Sequence, residues 1–298
     1  MKKLNFIIKY GLALLLLSFY SCESWLNVTP SDRLSEEMLF NDREGFVKAL
    51  NGVYIELNTN ELYGRNLTAG ALDVMGQYYS VASSSHAFYN YGGLVYTGND
   101  EKALFDNMWQ KCYAVIACCN TIIEKCDENK AGLSPVWKGS IKGEALALRA
   151  MLHFDMLRLF GPLTSELDKE SIPYQTNSDQ TVTPLLSGSE VIGLILDDLK
   201  NAVGLLKDTD PYFVEEEFSD TDLNYRRFRM NYFAAKGLMA RVQLWGGDKE
   251  KAAITAKEVI AEGQAEGAEF FSFVTNSEAT SSNPDRVFYS EVLFGTYH

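Results

Sequence analysis

Apolar residues recur at spacings of three and four positions along most of the chain, which is the pattern of amphipathic α-helices. The first helical segments are predicted within 36–57 and in part of 62–79. Longer ones are predicted over about 100–126, 139–160 and 189–206. Polar and glycine-bearing stretches separate these segments, so the sequence predicts an all-α fold with long irregular loops.

Two helical segments within 230–262 form the clearest supersecondary unit. They flank the turn 246–248, GGD, and both are rich in alanine, whose small side chain lets two helices approach closely. An antiparallel pair of this length resembles a tetratricopeptide repeat. Because one such hairpin cannot bury its apolar face alone, the helices at 100–126 and 139–160 are expected to stack on it as further tetratricopeptide-like hairpins.

Two other segments show no helical period. The acidic segment 207–222 is predicted to be a solvated loop, because it is too polar for a core. It lacks the glycine and the terminal glutamate spacing of an EF-hand, so it does not predict a calcium site. The segment 286–298, RVFYSEVLFGTYH, alternates apolar and polar residues and is predicted to be a β-strand.

The amino terminus has the layout of a secretory signal, with two lysines ahead of a short apolar run. The uninterrupted run, 11–20, is shorter than the roughly 20 residues that a membrane-spanning helix needs. We predict that 1–21 is a signal peptide. The cysteine after this run resembles the lipobox of bacterial lipoproteins, so Cys22 is the predicted lipid attachment site and 22–35 a lipidated tether.

The charge of the chain narrows its possible partners. The formal net charge is −13, and without the three lysines of the signal peptide it is about −16. Nucleic-acid binding needs clustered lysine and arginine, which the sequence lacks, so we predict no nucleic-acid partner. The charge is compatible with the binding of neutral ligands and of cationic partners.

The cysteines after the signal predict neither a disulfide framework nor a zinc site. Cys112, Cys119 and Cys126 recur every seven residues, or two helical turns, along one stripe of a helix. Residues so placed lie about 10 Å apart and cannot pair with one another. We interpret them as small buried apolar side chains.

No motif in the sequence predicts catalysis, a metal or a cofactor: GxSxG, HExxH, P-loop and GxGxxG patterns are absent. His153 is interpreted as a structural histidine, and Trp109 as a core residue. Arg149 and Glu144 are interpreted as an interhelical clamp rather than a catalytic pair. Asn120, in the middle of a helix, is interpreted as a hydrogen-bonded packing clamp. Glycoside hydrolysis would need two carboxylates across a cleft, and no such pair stands out.

The stretch 76–100 raises the question of a ligand, because it places five of the chain's 16 tyrosines within nineteen residues. Amides and glycines lie between the rings. A sugar binder needs flat apolar platforms and a few hydrogen-bonding partners. The candidate ligand-binding residues are Tyr78, Tyr89, Asn90, Tyr91, Tyr96 and Asn99. The alternative is that the tyrosines only fasten a glycine-bearing loop to the helices.

The order of several segments together resembles the SusD/RagB family of nutrient-uptake lipoproteins of the outer membrane. These segments are the signal with Cys22, then WLNVTPSDRLSEEMLFNDREGFVKALNGVY, MWQKCYAVIACCNTII, GEALALRAMLHFDMLRLFGPL with IPY, DLKNAVGLL, NYFAAKGLMARVQLWGGDKEKAAITAKEVI and SEVLF. The resemblance implies that 36–298 is a SusD-like helical domain. Family members are longer, so this domain is expected to be an amino-terminal part.

The resemblance also implies a function without catalysis. A SusD-like protein is expected to be lipid-anchored in the outer membrane, to face the cell exterior and to capture an oligosaccharide. It would pass that ligand to a SusC-like TonB-dependent transporter. The alternative is a tetratricopeptide-type adapter that binds only other outer-membrane proteins. The two readings differ in whether the tyrosine rings face an open surface or turn inward.

Overall fold

The computed structural model describes residues 36–179, 181–265 and 268–296. The predicted signal peptide 1–21 and tether 22–35 lie outside the described residues. The long helices that form the scaffold are α1 (Arg43–Leu57), α2 (Asn99–Glu128), α3 (Pro135–Phe160), α4 (Gly188–Thr209), α5 (Tyr232–Trp245) and α6 (Lys249–Gly263).

The remaining described elements are short. The short α-helices are Glu36–Leu39, Ala71–Met75, Tyr89–Gly92, Asp220–Asn224 and Asn276–Ala279, and the 3-10 helices are Glu215–Glu217, Arg226–Phe228 and Tyr289–Glu291. The antiparallel strand pairs are β1 (Glu170–Pro173) with β2 (Leu185–Ser187), and β3 (Gln264–Ala265) with β4 (Ala268–Glu269). The helix Glu36–Leu39 belongs to a first unit, and the other described elements belong to a second, compact unit that begins at Phe40. The prediction of a helical fold with long irregular loops is confirmed.

Local sequence sets where the long helices begin and end. The Asp42 side chain accepts a hydrogen bond from the backbone N–H of Gly45 at 2.8 Å and caps the start of α1. Ser187 and Glu190 form a reciprocal capping box at the start of α4. Asn129, with a left-handed φ of 45°, ends α2. The predicted limits of α2, α3 and α4 are confirmed to within a few residues. The helix predicted over 36–57 is instead divided into Glu36–Leu39 and α1, because Asp42 caps a new helix start.

The long helices of the second unit stack in chain order. The helix α3 packs against both α2 and α4, and α5 packs against both α4 and α6. The close contact between α3 and α4 depends on glycine, because a Cβ at Gly143 would lie 2.7 Å from Leu206 Cγ. The hairpin α5–α6 turns at Gly247, whose φ is +88°. Stacking of helical hairpins is confirmed, but the main neighbour of the α5–α6 hairpin is α4. The prediction that the helices at 100–126 and 139–160 stack on this hairpin is wrong for its main contact, since α3 makes only a minor contact with α5.

A buried ion cluster joins the loop after α4 to the middle of α3. The Arg226 guanidinium donates to both Asp210 oxygens, at 3.0 and 2.7 Å, and also to Glu144. These side chains are almost fully buried. The prediction that 207–222 is a solvated loop is therefore wrong at Asp210, which is 0% exposed. The buried guanidinium explains this, because it compensates the charge of a carboxylate removed from water.

The same cluster reaches two further elements. Glu144 accepts a hydrogen bond from the Tyr54 hydroxyl of α1 at 2.6 Å, and Asp210 accepts one from the Tyr232 N–H at the start of α5. Burial raises the pKa of Glu144, but the charges of Arg226 and Arg229 outweigh it and hold that pKa below its ordinary value. Glu144 is therefore a buried anion fixed between three elements.

A second clamp holds α2, α3 and α4 together. Arg149 donates to the two Asp198 oxygens, each at 2.7 Å, and to Asn120 Oδ1 at 2.9 Å. The predicted clamp roles of Arg149, Glu144 and Asn120 are confirmed. Arg149 and Glu144 do not pair with each other, since Glu144 belongs to the Arg226 cluster.

His153 is structural, as predicted. Its Nε2 accepts a hydrogen bond from the Gln175 N–H at 3.0 Å, so its Nδ1 carries the proton and donates to the Arg149 carbonyl at 3.0 Å. The ring stacks on Tyr174, with centroids 4.0 Å apart. Burial, together with the charge of Arg149, lowers the pKa of His153 to about 3.

This neutral histidine is expected to make the protein sensitive to acid. Between pH 6.5 and about 3 the unfolded chain binds the proton and the folded chain does not. The stabilisation of the folded state by neutral His153 is therefore complete above pH 6.5, and it decreases as the pH falls towards about 3. At pH 5 we expect the free energy of unfolding to be lower by about 2 kcal/mol for this group. Urea denaturation of the wild type and of His153→Gln across pH 7 to 5 measures it. Equal pH dependence of both proteins would contradict the assignment.

The four cysteines in the described part of the chain are free, and burial raises the pKa of the thiols of Cys112, Cys119 and Cys126. Their predicted role as small buried side chains is confirmed, whereas Cys118 is exposed. Burial and raised pKa values make the three buried thiols unreactive.

The strand predicted over 286–298 is wrong in its described part, 286–296, which contains the 3-10 turn Tyr289–Glu291. The Asp285 carboxylate accepts hydrogen bonds from the backbone N–H groups of Val287 at 2.9 Å and Tyr289 at 2.7 Å. These bonds curl the backbone locally, and they outweigh the alternating pattern that favours a strand.

Candidate ligand-binding surface

The tyrosine loop, residues 76–98, connects the short helix Ala71–Met75 to α2. Its first residues are fastened to the short helix Tyr89–Gly92 within it, because the Gln77 side chain donates to the Gly92 carbonyl at 3.0 Å. The Val95 N–H donates to the Asn90 carbonyl at 2.9 Å and closes the turn after Tyr89–Gly92. The loop therefore holds a defined conformation without a long helix of its own.

Tyr91 is the residue that fastens the loop to the helices. It is 2% exposed, and its ring lies 5.8 Å from that of Phe88, 5.9 Å from Phe105 and 6.4 Å from Tyr96. Burial, with a smaller effect of the nearby Glu101 charge, raises its pKa to about 12. A ring this deeply packed supports the surface above it rather than meeting a ligand directly.

The other tyrosines of the loop lie on the outside. The exposed fractions are 81% for Tyr78, 53% for Tyr79, 42% for Tyr89 and 37% for Tyr96. The Tyr96 ring rests edge-on against Phe105 of α2, with centroids 5.5 Å apart. Large exposed apolar patches on folded proteins often mark sites at which a partner or ligand binds.

The two candidate amides lie beside these rings. The Asn90 side chain donates to Glu101 Oε1 at 2.7 Å, which ties the loop to the first turn of α2 and lowers the pKa of Glu101. Asn99 is the first residue of α2 and is exposed. Asn90 is thus held in place by a charged acceptor, and Asn99 faces solvent at the end of the loop.

A cavity of about 500 Å³ lies within the tyrosine loop. Its lining includes Tyr79, Ser83, His86 and Phe88. Flat rings, hydroxyls and an imidazole are the groups with which proteins hold small polar ligands. Sequence reasoning did not single out Ser83, His86 and Phe88 as cavity residues, because only the folding of the loop on itself brings them to Tyr79.

Backbone strain occurs on both sides of the exposed rings. Gln77 and Leu94 adopt left-handed φ angles of 62° and 54°. Residues other than glycine and asparagine rarely occupy this region, and such strain is concentrated at ligand-binding and switch segments. The strained backbone is consistent with a loop whose conformation serves ligand binding as well as packing.

Trp109 continues the aromatic surface along α2. Its ring packs against Tyr113 at 4.7 Å and Phe160 at 5.1 Å, and it is half-buried. The predicted packing role is confirmed, although part of the ring stays accessible to solvent.

Comparison with known proteins decides the family. The SusD-like family model, described as "Starch-binding associating with outer membrane", matches residues 24–244. The chain belongs to the SusD-like family. The SusD-like protein P2 of Formosa agariphila is 26% identical over 265 residues, which cover 87% of this chain and 46% of that protein. The resemblance expected from the order of the sequence segments is confirmed.

Solved SusD-like structures share the fold. A SusD superfamily protein from Bacteroides thetaiotaomicron matches with a TM-score of 0.62 at 21% identity, covering 86% of this chain and 53% of that one. A laminarin-binding SusD-like protein matches with a TM-score of 0.59 at 16% identity, covering 80% and 48%. The SusD-like chain thus spans about half the length of the relatives that it matches.

Two further observations concern membranes and metals. Among the described residues of this SusD-like protein, no helix is long and apolar enough to cross a membrane. Within 36–179, 181–265 and 268–296 there is also no group of three histidine, cysteine or acidic side chains placed to hold a metal ion.

Proposed function

We propose that this SusD-like protein is a non-catalytic glycan receptor of the outer membrane, anchored through lipid on Cys22 and facing the cell exterior. It captures an oligosaccharide and passes it to a SusC-like TonB-dependent transporter. The observation that carries the proposal is the exposure of four tyrosine rings on one short loop. The same loop contains a cavity of about 500 Å³, and one of the four rings, that of Tyr79, lines it. Membership of a family described as starch-binding supports it.

Sugar recognition follows from the chemistry of the exposed groups. The C–H faces of a sugar ring pack against aromatic rings, for which Tyr78, Tyr89 and Tyr96 are available. The tyrosine hydroxyls and the amide of Asn99 are free to exchange hydrogen bonds with sugar hydroxyls. An apolar platform with a few polar groups at its edge is the general form of such a site.

The buried part of the loop contributes by ordering the site in advance. Tyr91 packs into the rings below, Asn90 is bound to Glu101, and Gln77 closes the loop. Binding then costs less conformational entropy, because the rings are already in place. We therefore assign Tyr91 and Asn90 to the support of the site and Tyr78, Tyr89, Tyr96 and Asn99 to direct contact.

Titration calorimetry of the full chain in detergent against a panel of neutral oligosaccharides tests this function. The proposal predicts saturable binding of at least one glycan. A chain that is folded by circular dichroism and binds none of them would contradict the receptor and favour the adapter that binds only other outer-membrane proteins.

A further inference from the structure

A second cavity, of about 550 Å³, lies at the turn of the hairpin α5–α6. Its lining includes Phe154 and Arg158 from α3, Arg241 and Trp245 from α5, and Lys249 from α6. We call this the cationic pocket. It brings three cations and two large aromatic side chains into one cavity, on a chain whose formal net charge is −13.

Most of the positive charge in the cationic pocket is uncompensated. Arg158 donates to Asp155 at 2.7 Å, and this carboxylate balances one of the three cations. Arg241 and Lys249 form no ion pair with any residue in the described part of the chain. The nearest acid in the turn, Asp248, already pairs with Lys251 at 2.7 Å. Two cations thus remain for an anion from outside.

The aromatic rings of the pocket hold its two arginines in position. The ring centroids of Phe154 and Trp245 lie 6.0 Å apart at 88°. The Arg158 guanidinium lies 5.6 Å from the Phe154 ring and 5.8 Å from the Trp245 ring, and Arg241 lies 5.7 Å from Phe154. Guanidinium groups that rest on aromatic faces are held for bidentate bonds to planar or tetrahedral oxyanions.

The indole of Trp245 adds an apolar wall to the cavity, and its side chain is half-buried. The pocket therefore combines anion-binding groups with a flat apolar surface.

We propose that the cationic pocket binds a sugar unit that carries a carboxylate or sulfate group. Arg241 and Lys249 hold the anionic group, and the Trp245 indole packs against the sugar ring. The cavity is large enough for such a unit, since ligand pockets of proteins span about 300–1,000 Å³. The identification of the ligand as a sugar rests on the proposed function. The expectation that the pocket binds an anion rests only on the charges of its side chains.

Calorimetry of the full chain in detergent tests this assignment with four probes of known charge. These are a galacturonate oligosaccharide, a sulfated galactose oligosaccharide, a neutral galactose oligosaccharide of equal length, and sodium sulfate. We expect one or both acidic sugars to bind at least about tenfold tighter than the neutral one, a difference of about 1.4 kcal/mol. Added NaCl should weaken only the acidic binding. Which acidic sugar binds tighter identifies the anionic group.

Two double variants decide whether the pocket is responsible. Arg241→Gln with Lys249→Gln should weaken acidic binding about tenfold or more. Lys200→Gln with Lys257→Gln removes the same charge from exposed positions outside the pocket and should leave that binding unchanged. Equal losses in both variants would overturn the site.

The remaining outcomes separate this inference from the glycan-receptor proposal. Sodium sulfate that binds as tightly as the acidic sugars would overturn the sugar part of the assignment. Acidic binding that survives Tyr78→Ala with Tyr89→Ala places it outside the tyrosine loop, as the inference requires. Acidic binding that disappears in that variant overturns the inference and leaves the tyrosine loop as the receptor site.

Discussion

Replacing Arg226 by methionine is expected to lower the free energy of unfolding by about 3–5 kcal/mol. The guanidinium is 2% exposed and neutralises two buried carboxylates, those of Asp210 and Glu144. Methionine fills a similar volume but leaves both anions buried with too little positive charge, since Arg229 reaches only Glu144. The cost of an unpaired buried charge exceeds the worth of the pair itself, which explains the size of the effect.

Urea denaturation followed by circular dichroism measures this loss. Arg286→Met is the matched control, because Arg286 is exposed and its replacement removes the same charge. We expect the control to stay within about 0.5 kcal/mol of the wild type. A loss below about 1 kcal/mol for Arg226→Met would show that the cluster does not hold the four elements together.

Tyr78→Ala combined with Tyr89→Ala is expected to weaken binding of a neutral oligosaccharide about a hundredfold. Each ring that loses its contact with a sugar face costs about 1.4 kcal/mol, or a factor of ten, and the two rings act on one ligand. Both side chains are exposed, so the fold and its melting temperature should change little.

Calorimetry with one bound glycan measures the effect, and Tyr225→Ala is its matched control. Tyr225 is 58% exposed and lies outside the tyrosine loop. The control should bind as the wild type does. Unchanged affinity of the double variant, with normal binding by the wild type, would show that the ligand sits elsewhere on the molecule.

The helices could be predicted because local features encode them. Apolar spacing marked the segments, and capping side chains such as Asp42 and Ser187 set where helices begin. Two of the structural predictions that were wrong concern positions where contacts between distant residues or competing local hydrogen bonds determine the backbone conformation or the burial. Asp210 reads as a solvated acid until Arg226, sixteen positions later, is brought against it. The alternating pattern over 286–298 did not produce a strand in the described part, because the Asp285 side chain accepts hydrogen bonds from the backbone there.

The tyrosine loop could be found from composition but not resolved into roles. Tyr89 and Tyr91 share the short helix Tyr89–Gly92, and nothing in their order predicts that one faces solvent and the other is buried. That difference arises because Phe105 of α2 packs under Tyr91. The proposed direct contacts therefore depend on the fold as much as on the residues.

The cationic pocket could not be predicted from the sequence at all. Arg158 lies more than eighty positions before Arg241, and no motif links them to Lys249. Only the packing of α3 against the α5–α6 hairpin brings the three cations together. The large negative net charge of the sequence also gives no indication of a local cluster of positive side chains.

Hydrogen–deuterium exchange of the full chain, with and without a bound neutral oligosaccharide, tests the central claim most directly. A ligand held on the tyrosine loop should slow amide exchange within 76–98 and leave α5 and α6 unchanged, because exchange reports local opening of the backbone. Protection confined to other segments, with 76–98 exchanging at the same rate in both samples, would contradict the account.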